Sequence, residues 1–342
     1  MRFSEVRAGL ESSIHGFATS IGPVLVFAGL FGSVSLAAAL WATLVTAVCV
    51  PLVRVLLRAH PSIHTSSRAA SLLAYAALVL QLSLANVATV GHQSLPTVAE
   101  FAIGMAAASL LFALASGLIT LAGVLKLGHI FKMIPSTVTA GISNSTAALL
   151  VLIACRQLWS SPLQALAAAI LMVLAYWGWS QSQQRWPVLR VVPNVLVAVL
   201  VGLCLSGWLA EPVSAAATVA DVSWNTQWMG VVLWPQLLGQ DHLIELLWIG
   251  IPGMLTLALV MILESHTACS TMEARFGVRI QANHELLVLG CTNLLCAALG
   301  GVPSTGSPIR CISNWIAGGR GKSAVAVAAL VTGGLVLALA GL

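Results

Sequence analysis

Two charged residues lie in stretches that otherwise carry no charge. Arg310 falls within "GGVPSTGSPIRCISNW" (300–315), and Glu264 is the only charged residue from 246 to 272. An ionisable side chain inside a membrane is costly and is by default a candidate for function. Arg310 is suited to bind an anion. Glu264 has three possible roles: to pair with Arg310, to hold a proton, or to coordinate a cation. The chemistry that these residues favour is ion binding.

A second arginine, Arg68, lies in "HPSIHTSSRAAS" (60–71). This stretch and 301–313 are rich in Pro, Ser, Thr and Gly, which predicts extended backbone that then becomes helical. A helix N-terminus attracts anions, so we predict that Arg310 and Arg68 flank an anion site. The hydroxyls expected to contribute are those of Ser66, Ser67, Ser304, Thr305 and Ser307. The alternatives are that Arg310 snorkels to the membrane surface and that Arg68 extends a basic loop.

Ser265 and His266 follow Glu264 directly. His266 is suited to proton exchange near neutral pH, or it is simply a polar neighbour of the site. The sequence shows no nucleophile with a paired base, no His/Cys metal cluster and no glycine-rich phosphate loop, so we predict no enzymatic activity, no metal and no cofactor. The seven cysteines are scattered singly and are interpreted as small core residues.

The composition places these residues in a membrane. Of 342 residues, 59% are hydrophobic and 7% are charged, whereas soluble domains are about one quarter charged. Apolar runs and helix breakers predict an all-α, multi-pass protein that contacts the lipid bilayer. The approximately eleven spans are 13–33, 36–57, 68–90, 98–124, 131–154, 161–181, 189–208, 245–268, 284–299, 308–318 and 322–342.

Lys and Arg fall almost entirely in the loops on one side of this arrangement. They predict a cytoplasmic N-terminus in a bacterial inner membrane, and topology explains them better than nucleic-acid binding does. Spans three and ten begin in extended segments and run in opposite directions, as in an inverted-repeat transporter whose half-helices meet near the midplane. The predicted organisation is a first repeat (1–208), an external loop (209–243) with an interfacial segment containing Trp224, Trp228 and Trp234, and an incomplete second repeat (244–342).

The sequence resembles the SulP family of sulfate permeases and related anion transporters. The resemblance is strongest in "LVMILESHTA" (259–268) and "QANHELLVLGCTNLLCAALGGVPSTGSPIRCIS" (281–313), and weaker in 126–150. The matching residues are Glu264, Ser265, Asn283, Glu285, Leu286, Gly290, Asn293, Gly300, Gly301, Pro303 and Arg310, with Leu127, Gly128, Val138 and Gly141 in the weaker region.

The resemblance implies two inverted seven-span repeats forming a core and a gate, an anion held between spans three and ten, elevator-type movement and, commonly, a homodimer. The sequence departs from the family pattern at Pro23, where many relatives have a polar residue, and at Ser66 and Ser67, where they have Gly-Pro. It ends at Leu342, so the last three spans and the STAS domain common in the family are expected to be missing.

The function predicted from these observations is secondary active transport of a small inorganic anion such as sulfate or bicarbonate, coupled to H⁺ or Na⁺ or driven by exchange. Arg310, Arg68 and the five hydroxyls would bind the anion, whereas Glu264, Ser265 and His266 would set the coupling. One alternative is a nucleobase–proton symporter of the same fold. The other is a membrane protein that binds a solute without transporting it.

Overall fold

The computed structural model describes residues 3–31, 36–90, 98–159, 163–186, 189, 192, 194–208, 230–238 and 242–340. Its helices are α1 (Phe3–Phe31), α2 (Leu36–Leu56), α3 (Ala69–Val90), α4 (Val98–Val124), α5 (Gly128–Lys132), α6 (Ser136–Trp159), α7 (Leu163–Arg185), α8 (Asn194–Trp208), α9 (Gly230–Leu238), α10 (Leu243–Phe276), α11 (Ala282–Ala298), α12 (Pro308–Ile316) and α13 (Lys322–Ala340). Two short strands, β1 (Thr65–Ser66) and β2 (Thr305–Gly306), precede α3 and α12. The all-α fold class is confirmed.

The predicted spans agree with the helices where both ends of an apolar run carry clear breakers. Helices α2, α3 and α4 lie within one residue of the predictions 36–57, 68–90 and 98–124. Helix α1 begins at Phe3 instead of residue 13, and α10 continues to Phe276 instead of 268. Charged residues do not stop a helix that leaves the membrane, so hydropathy marks where the apolar part ends and the helix itself continues.

Four segments of the described helices are long and apolar enough to cross a membrane. They are Ala38–Leu56, Ala69–Asn86, Phe101–Val124 and Leu243–Phe276. Helix α10 is the longest of the described helices, at 34 residues, and Glu264 lies within it. The candidate coupling residue is therefore part of a membrane-crossing helix.

The chain forms two compact units. One contains Met1–Thr139 and Val219–Leu342, and the other contains Ala140–Thr218. The first unit, which is the larger, therefore contains helices from both predicted repeats. The boundaries of the repeats themselves stay a prediction. Its core includes the fully buried rings of Tyr75 and Phe112, whose centroids are 5.5 Å apart. In the smaller unit, Trp179 Nε1 donates to the backbone oxygen of Val192 at 3.1 Å.

Helices α4 and α11 pack closely in the larger unit because Gly290 has no side chain. A Cβ atom at this position would lie 2.7 Å from the backbone oxygen of Ser116 and would also meet the backbone nitrogen of Thr120. Small residues at such contacts let membrane helices approach each other. The glycine of the SulP-like motif therefore has a packing role in this chain.

Gly290→Ala is expected to lower the free energy of unfolding by about 1–3 kcal/mol, because the added methyl group overpacks a contact made by backbone atoms. Thermal unfolding of the purified protein in detergent would measure the change. Gly117→Ala, on α4 and with open space at its Cβ position, is the matched control and should be neutral or stabilising. Equal effects of the two substitutions would contradict the packing role.

The described part of the 209–243 loop is helix α9, which packs against α4. Leu233 and Leu237 are buried, and Trp234 Nε1 donates to Ser109 Oγ at 3.0 Å. At Trp234, the segment that was predicted to lie at the membrane interface is therefore a helix that packs against the protein core. Trp224 and Trp228 lie outside the described residues.

The cysteines differ in how exposed their side chains are. Cys269, Cys296 and Cys311 are buried, as predicted for small core residues. The prediction is wrong for Cys155 and Cys204, whose side chains are exposed on helices α6 and α8. A free thiol behaves as a small apolar group, so the outer surface of a membrane helix accommodates it as readily as a core does.

Candidate functional site

The two extended segments cross and pair with each other. Strands β1 and β2 are antiparallel, with Thr65 opposite Gly306 and Ser66 opposite Thr305. The backbone N–H of Ser307 also donates to the oxygen of His64 at 2.8 Å. Because the strands are antiparallel, α3 and α12 leave the crossing in opposite directions. The extended starts predicted for spans three and ten are confirmed. Helix α12, with nine residues, has the length of the predicted half-helix, whereas α3, with 22 residues, is long enough to cross a membrane.

Polar side chains from neighbouring helices hold the segment that leads into β2. Asn293 binds both backbone groups of Ser304: its Oδ1 accepts from the N–H at 2.9 Å, and its Nδ2 donates to the oxygen at 2.8 Å. Thr46 Oγ1 accepts from the N–H of Val302 at 2.9 Å. Non-helical backbone at membrane depth needs such partners. Asn293, a residue of the SulP-like motif, thus positions the site.

Arg310 is the third residue of α12 and is only 4% exposed. It donates to the backbone oxygen of Thr65, and a Cβ atom at Gly16 would lie 2.6 Å from its Nη2 atom. No carboxylate of the described residues forms an ion pair with it. Pairing with Glu264, one of the three roles considered for that carboxylate, is therefore not observed, and the burial of Arg310 excludes a snorkelling side chain.

A small cavity adjoins Arg310 and is lined mostly by hydroxyl side chains. The other lining residues are Thr43, Thr46, Ala47, Thr65, Ser66 and Ser67. Among the described residues, three buried polar atoms here have no hydrogen-bond partner, namely Thr43 Oγ1, Thr65 Oγ1 and Arg310 Nε. Buried polar groups are nearly always satisfied, so these three atoms are available to a water molecule or an anion that enters the cavity. We call this space the Arg310 cavity.

The structure separates the predicted anion-binding residues into two groups. Ser66, Ser67 and Arg310 line the Arg310 cavity, as expected. Ser304, Thr305 and Ser307 are buried but do not line it. Thr43 and Thr46, on α2, are functional candidates that the sequence analysis missed; a signal was present, since two hydroxyls three residues apart share one face of an apolar helix.

Glu264 forms a second polar cluster, together with Arg68. Its carboxylate is buried, and Arg68 Nε lies 3.6 Å from its Oε1 atom. Thr305 Oγ1 donates to its Oε2 atom at 2.9 Å. Arg68 and Thr305 were both predicted to bind the anion. In the structure they contact the side-chain carboxylate of Glu264, which belongs to the protein itself. The alternative that Arg68 merely extends a basic loop does not fit this contact.

Ser265 and His266 lie beside this cluster. Ser265 Oγ accepts from the backbone N–H of Gly306 at 3.1 Å and so fixes β2 against α10. Both residues line a separate cavity of about 480 Å³ that also reaches Arg54 and Glu285. Pro23, where the family pattern has a polar residue, belongs to α1, and its side chain lies outside the described residues.

The geometry of the site agrees with the protein family and the solved structures that the chain resembles. The profile of the sulfate permease family matches residues 156–342. The chain superposes on the transmembrane domain of a cyanobacterium bicarbonate transporter, BicA, with a TM-score of 0.72 and 17% identity, covering 99% of this chain and 82% of that one. A search of curated protein sequences gives no match.

Two structures of SLC26A9 are also similar. One gives a TM-score of 0.62 at 16% identity over 96% of this chain, and the murine anion transporter in its inward-facing state gives 0.65 at 14% identity over 99%. The chain spans 52% and 57% of their lengths. At these identities the likeness shows a shared helical transporter fold. Since the family profile covers more than half of the chain, the protein is a member of the sulfate permease family.

Proposed function

We propose that this integral membrane protein transports a small inorganic anion, which binds in the Arg310 cavity. The observation that carries the proposal is the burial of Arg310 without a carboxylate partner among the described residues. A buried charge is strongly unfavourable unless a counter-ion and hydrogen bonds compensate it. An anion in the cavity supplies both, because it faces the guanidinium and the unpartnered hydroxyls of Thr43 and Thr65.

The shape and chemistry of the cavity favour a small oxyanion such as bicarbonate or sulfate. A guanidinium presents N–H groups in a planar fork that matches two oxygens of one anion, and hydroxyls can donate to the remaining oxygens. The similar cyanobacterial protein is named a bicarbonate transporter and the murine one an anion transporter, which supports the same substrate class.

Transport in proteoliposomes tests this proposal. Labelled sulfate, bicarbonate, nitrate and uracil would be offered with and without an inward proton gradient. We expect saturable uptake of one or more inorganic anions, and no competition from uracil. Uracil uptake would favour the nucleobase symporter instead. Saturable anion binding without uptake of any solute would favour a protein that binds without transporting.

We propose that Glu264 couples transport to a cation and that Arg68 occupies the carboxylate when the cation is absent. Support comes from the 3.6 Å ion pair and from Thr305, which links the carboxylate to β2. A proton or Na⁺ that displaces Arg68 would thereby act on the strand that leads into α12. The coupling ion and the anion would then both lie beside the same pair of strands.

Arg68→Gln is expected to raise the apparent affinity of transport for H⁺ or Na⁺ by about tenfold, because about 1.4 kcal/mol of competition for the Glu264 carboxylate is removed. Anion uptake measured against Na⁺ concentration and against pH would show this change. The double substitution Arg68→Gln/Glu264→Gln is the matched control and should remove the cation dependence. An unaltered cation dependence in Arg68→Gln would contradict the competition.

The proposal extends to the orientation of the protein in the membrane and to its oligomeric state. We propose a cytoplasmic N-terminus and a bacterial inner membrane, and the positive-inside pattern supports this orientation. We further propose a homodimer, as the family resemblance implies. Cysteine-accessibility labelling at Arg58→Cys in intact and opened cells would test the orientation.

A further inference from the structure

Basic side chains from three separate segments surround a concave space at one end of the larger unit. The space measures about 380 Å³. Arg58 follows α2, Arg279 lies between α10 and α11, and Lys322 opens α13. His60 and His284 complete this group, which we call the basic pocket. None of these five residues lines the Arg310 cavity.

The charges in the basic pocket are not compensated by the described residues. The side chains of Arg58, Arg279 and Lys322 form none of the ion pairs found there. Glu285 is the only acidic residue lining the pocket, and its carboxylate already binds Arg54 Nη2 at 2.6 Å. The carboxylate is therefore neutralised from within the protein, so three positive charges face the pocket.

His60 contributes hydrogen bonding more than charge. Burial lowers the pKa of His60 below its ordinary value, so this imidazole is neutral at pH 7 and can still exchange hydrogen bonds with a ligand. Helix α11 begins at the same place, and its N-cap residue Gln281 makes no side-chain capping bond. Backbone N–H groups of the first turn are then available to an anion.

The backbone at Arg58 departs from ordinary geometry in the same place. Its φ angle of 56° lies in the left-handed region. Where a helix ends in this conformation, the residue is usually glycine. An arginine therefore stands where the backbone favours a residue without a side chain. The positive-inside rule alone would be satisfied by cations anywhere in these three loops; it does not explain their convergence on one pocket.

We propose that the basic pocket binds a phosphate group, carried either by an anionic lipid headgroup or by a soluble phosphate compound. Clustered basic residues at the membrane surface attract anionic headgroups, and pockets of this kind between membrane helices are suited to hold them. Arginine forks and helix N-termini both match phosphate oxygens. Leu56, two residues before Arg58, is 77% exposed, so α2 ends in an apolar side chain that acyl chains can contact.

The test uses the full chain purified in a neutral detergent and mixed with phosphatidylglycerol or with phosphatidylcholine. Native mass spectrometry would count the lipids retained and give their affinities. We expect preferential retention of phosphatidylglycerol, and a loss of about tenfold or more in its affinity in Arg58→Gln/Arg279→Gln, because two positive charges that face the headgroup are removed. Arg275→Gln removes one positive charge from the neighbouring end of α10, outside the pocket, and should bind almost as the native chain does.

Competition with inorganic phosphate distinguishes the two sources. Displacement of the lipid by phosphate, lost in the double variant, would support a pocket open to soluble phosphate compounds. Lipid binding that phosphate does not displace, but that the double variant loses, would support a headgroup site. Equal losses in Arg275→Gln and the double variant would overturn the proposal in favour of general surface charge. Retention unaffected by either change would overturn it as well.

Discussion

Arg310→Ala is expected to reduce anion uptake at least about 30-fold, because removing one partner of a buried, hydrogen-bonded charge pair costs about 2 kcal/mol or more. The guanidinium is buried against the Arg310 cavity, and no described carboxylate forms an ion pair with it. Initial rates of uptake into proteoliposomes, normalised to inserted protein, would measure the change. Arg310→Lys keeps the charge but loses the planar fork, so it should retain more activity than alanine and less than arginine.

Stability provides a readout that does not depend on flux. An anion that binds only the folded protein raises its unfolding temperature as the anion concentration rises. The native chain should show this shift and Arg310→Ala should not. Because the substitution removes an uncompensated charge, the variant without anion should remain folded. If the variant shows the same shift and the same uptake as the native chain, the anion does not bind at Arg310.

The extended segments before α3 and α12 could be predicted because their sequences exclude a continuous helix. Pro, Ser, Thr and Gly concentrate at 60–71 and 301–313, and extended backbone at membrane depth requires a partner. The partner turned out to be the other extended segment, in the antiparallel pairing of Thr65 with Gly306. The opposite directions of the two spans, read from the order of the apolar runs, already implied that orientation.

The division of the polar residues between two clusters could not be predicted. Neighbouring residues of an extended strand face opposite sides, so the order of hydroxyls in the sequence does not say which of them reach Arg310. Thr305 contacts Glu264, whereas Ser66, which pairs with it across the two strands, lines the Arg310 cavity, so strand geometry alone does not assign a hydroxyl to a cluster. The partner of Glu264 was equally undetermined, since Arg68 and Arg310 both lie at the crossing and only side-chain geometry selects between them.

The contribution of α2 was missed for a related reason. A hydroxyl in an apolar helix commonly donates to the backbone oxygen four residues earlier, as Thr46 does to Ala42 at 2.7 Å, and so it gives no sign of a ligand. Only the rotation of α2 against β1 turns Thr43 and Thr46 towards Arg310. That rotation depends on long-range contacts such as the bond from Trp41 Nε1 to the oxygen of Leu299.

Glu285→Ala is expected to lower the free energy of unfolding by about 3–5 kcal/mol, because it leaves a buried arginine without its partner. Arg54 is 3% exposed, and its Nη2 atom lies 2.6 Å from Glu285 Oε2. The other oxygen, Oε1, accepts from the backbone N–H of His60 at 2.8 Å. This carboxylate therefore joins α2, the loop before β1 and α11, three elements that position the crossing.

The double variant Arg54→Met/Glu285→Leu distinguishes a structural ion pair from a functional one. Replacing a buried pair with apolar residues of similar size is often neutral or stabilising, so thermal unfolding of the double variant should recover most of what Glu285→Ala loses. If both single and double variants unfold equally early, the carboxylate acts chiefly through His60 and not through Arg54. If the double variant recovers stability and anion uptake together, the pair serves the fold alone. Recovered stability with uptake still lost would show that the charges at this end of α2 and α11 also take part in transport.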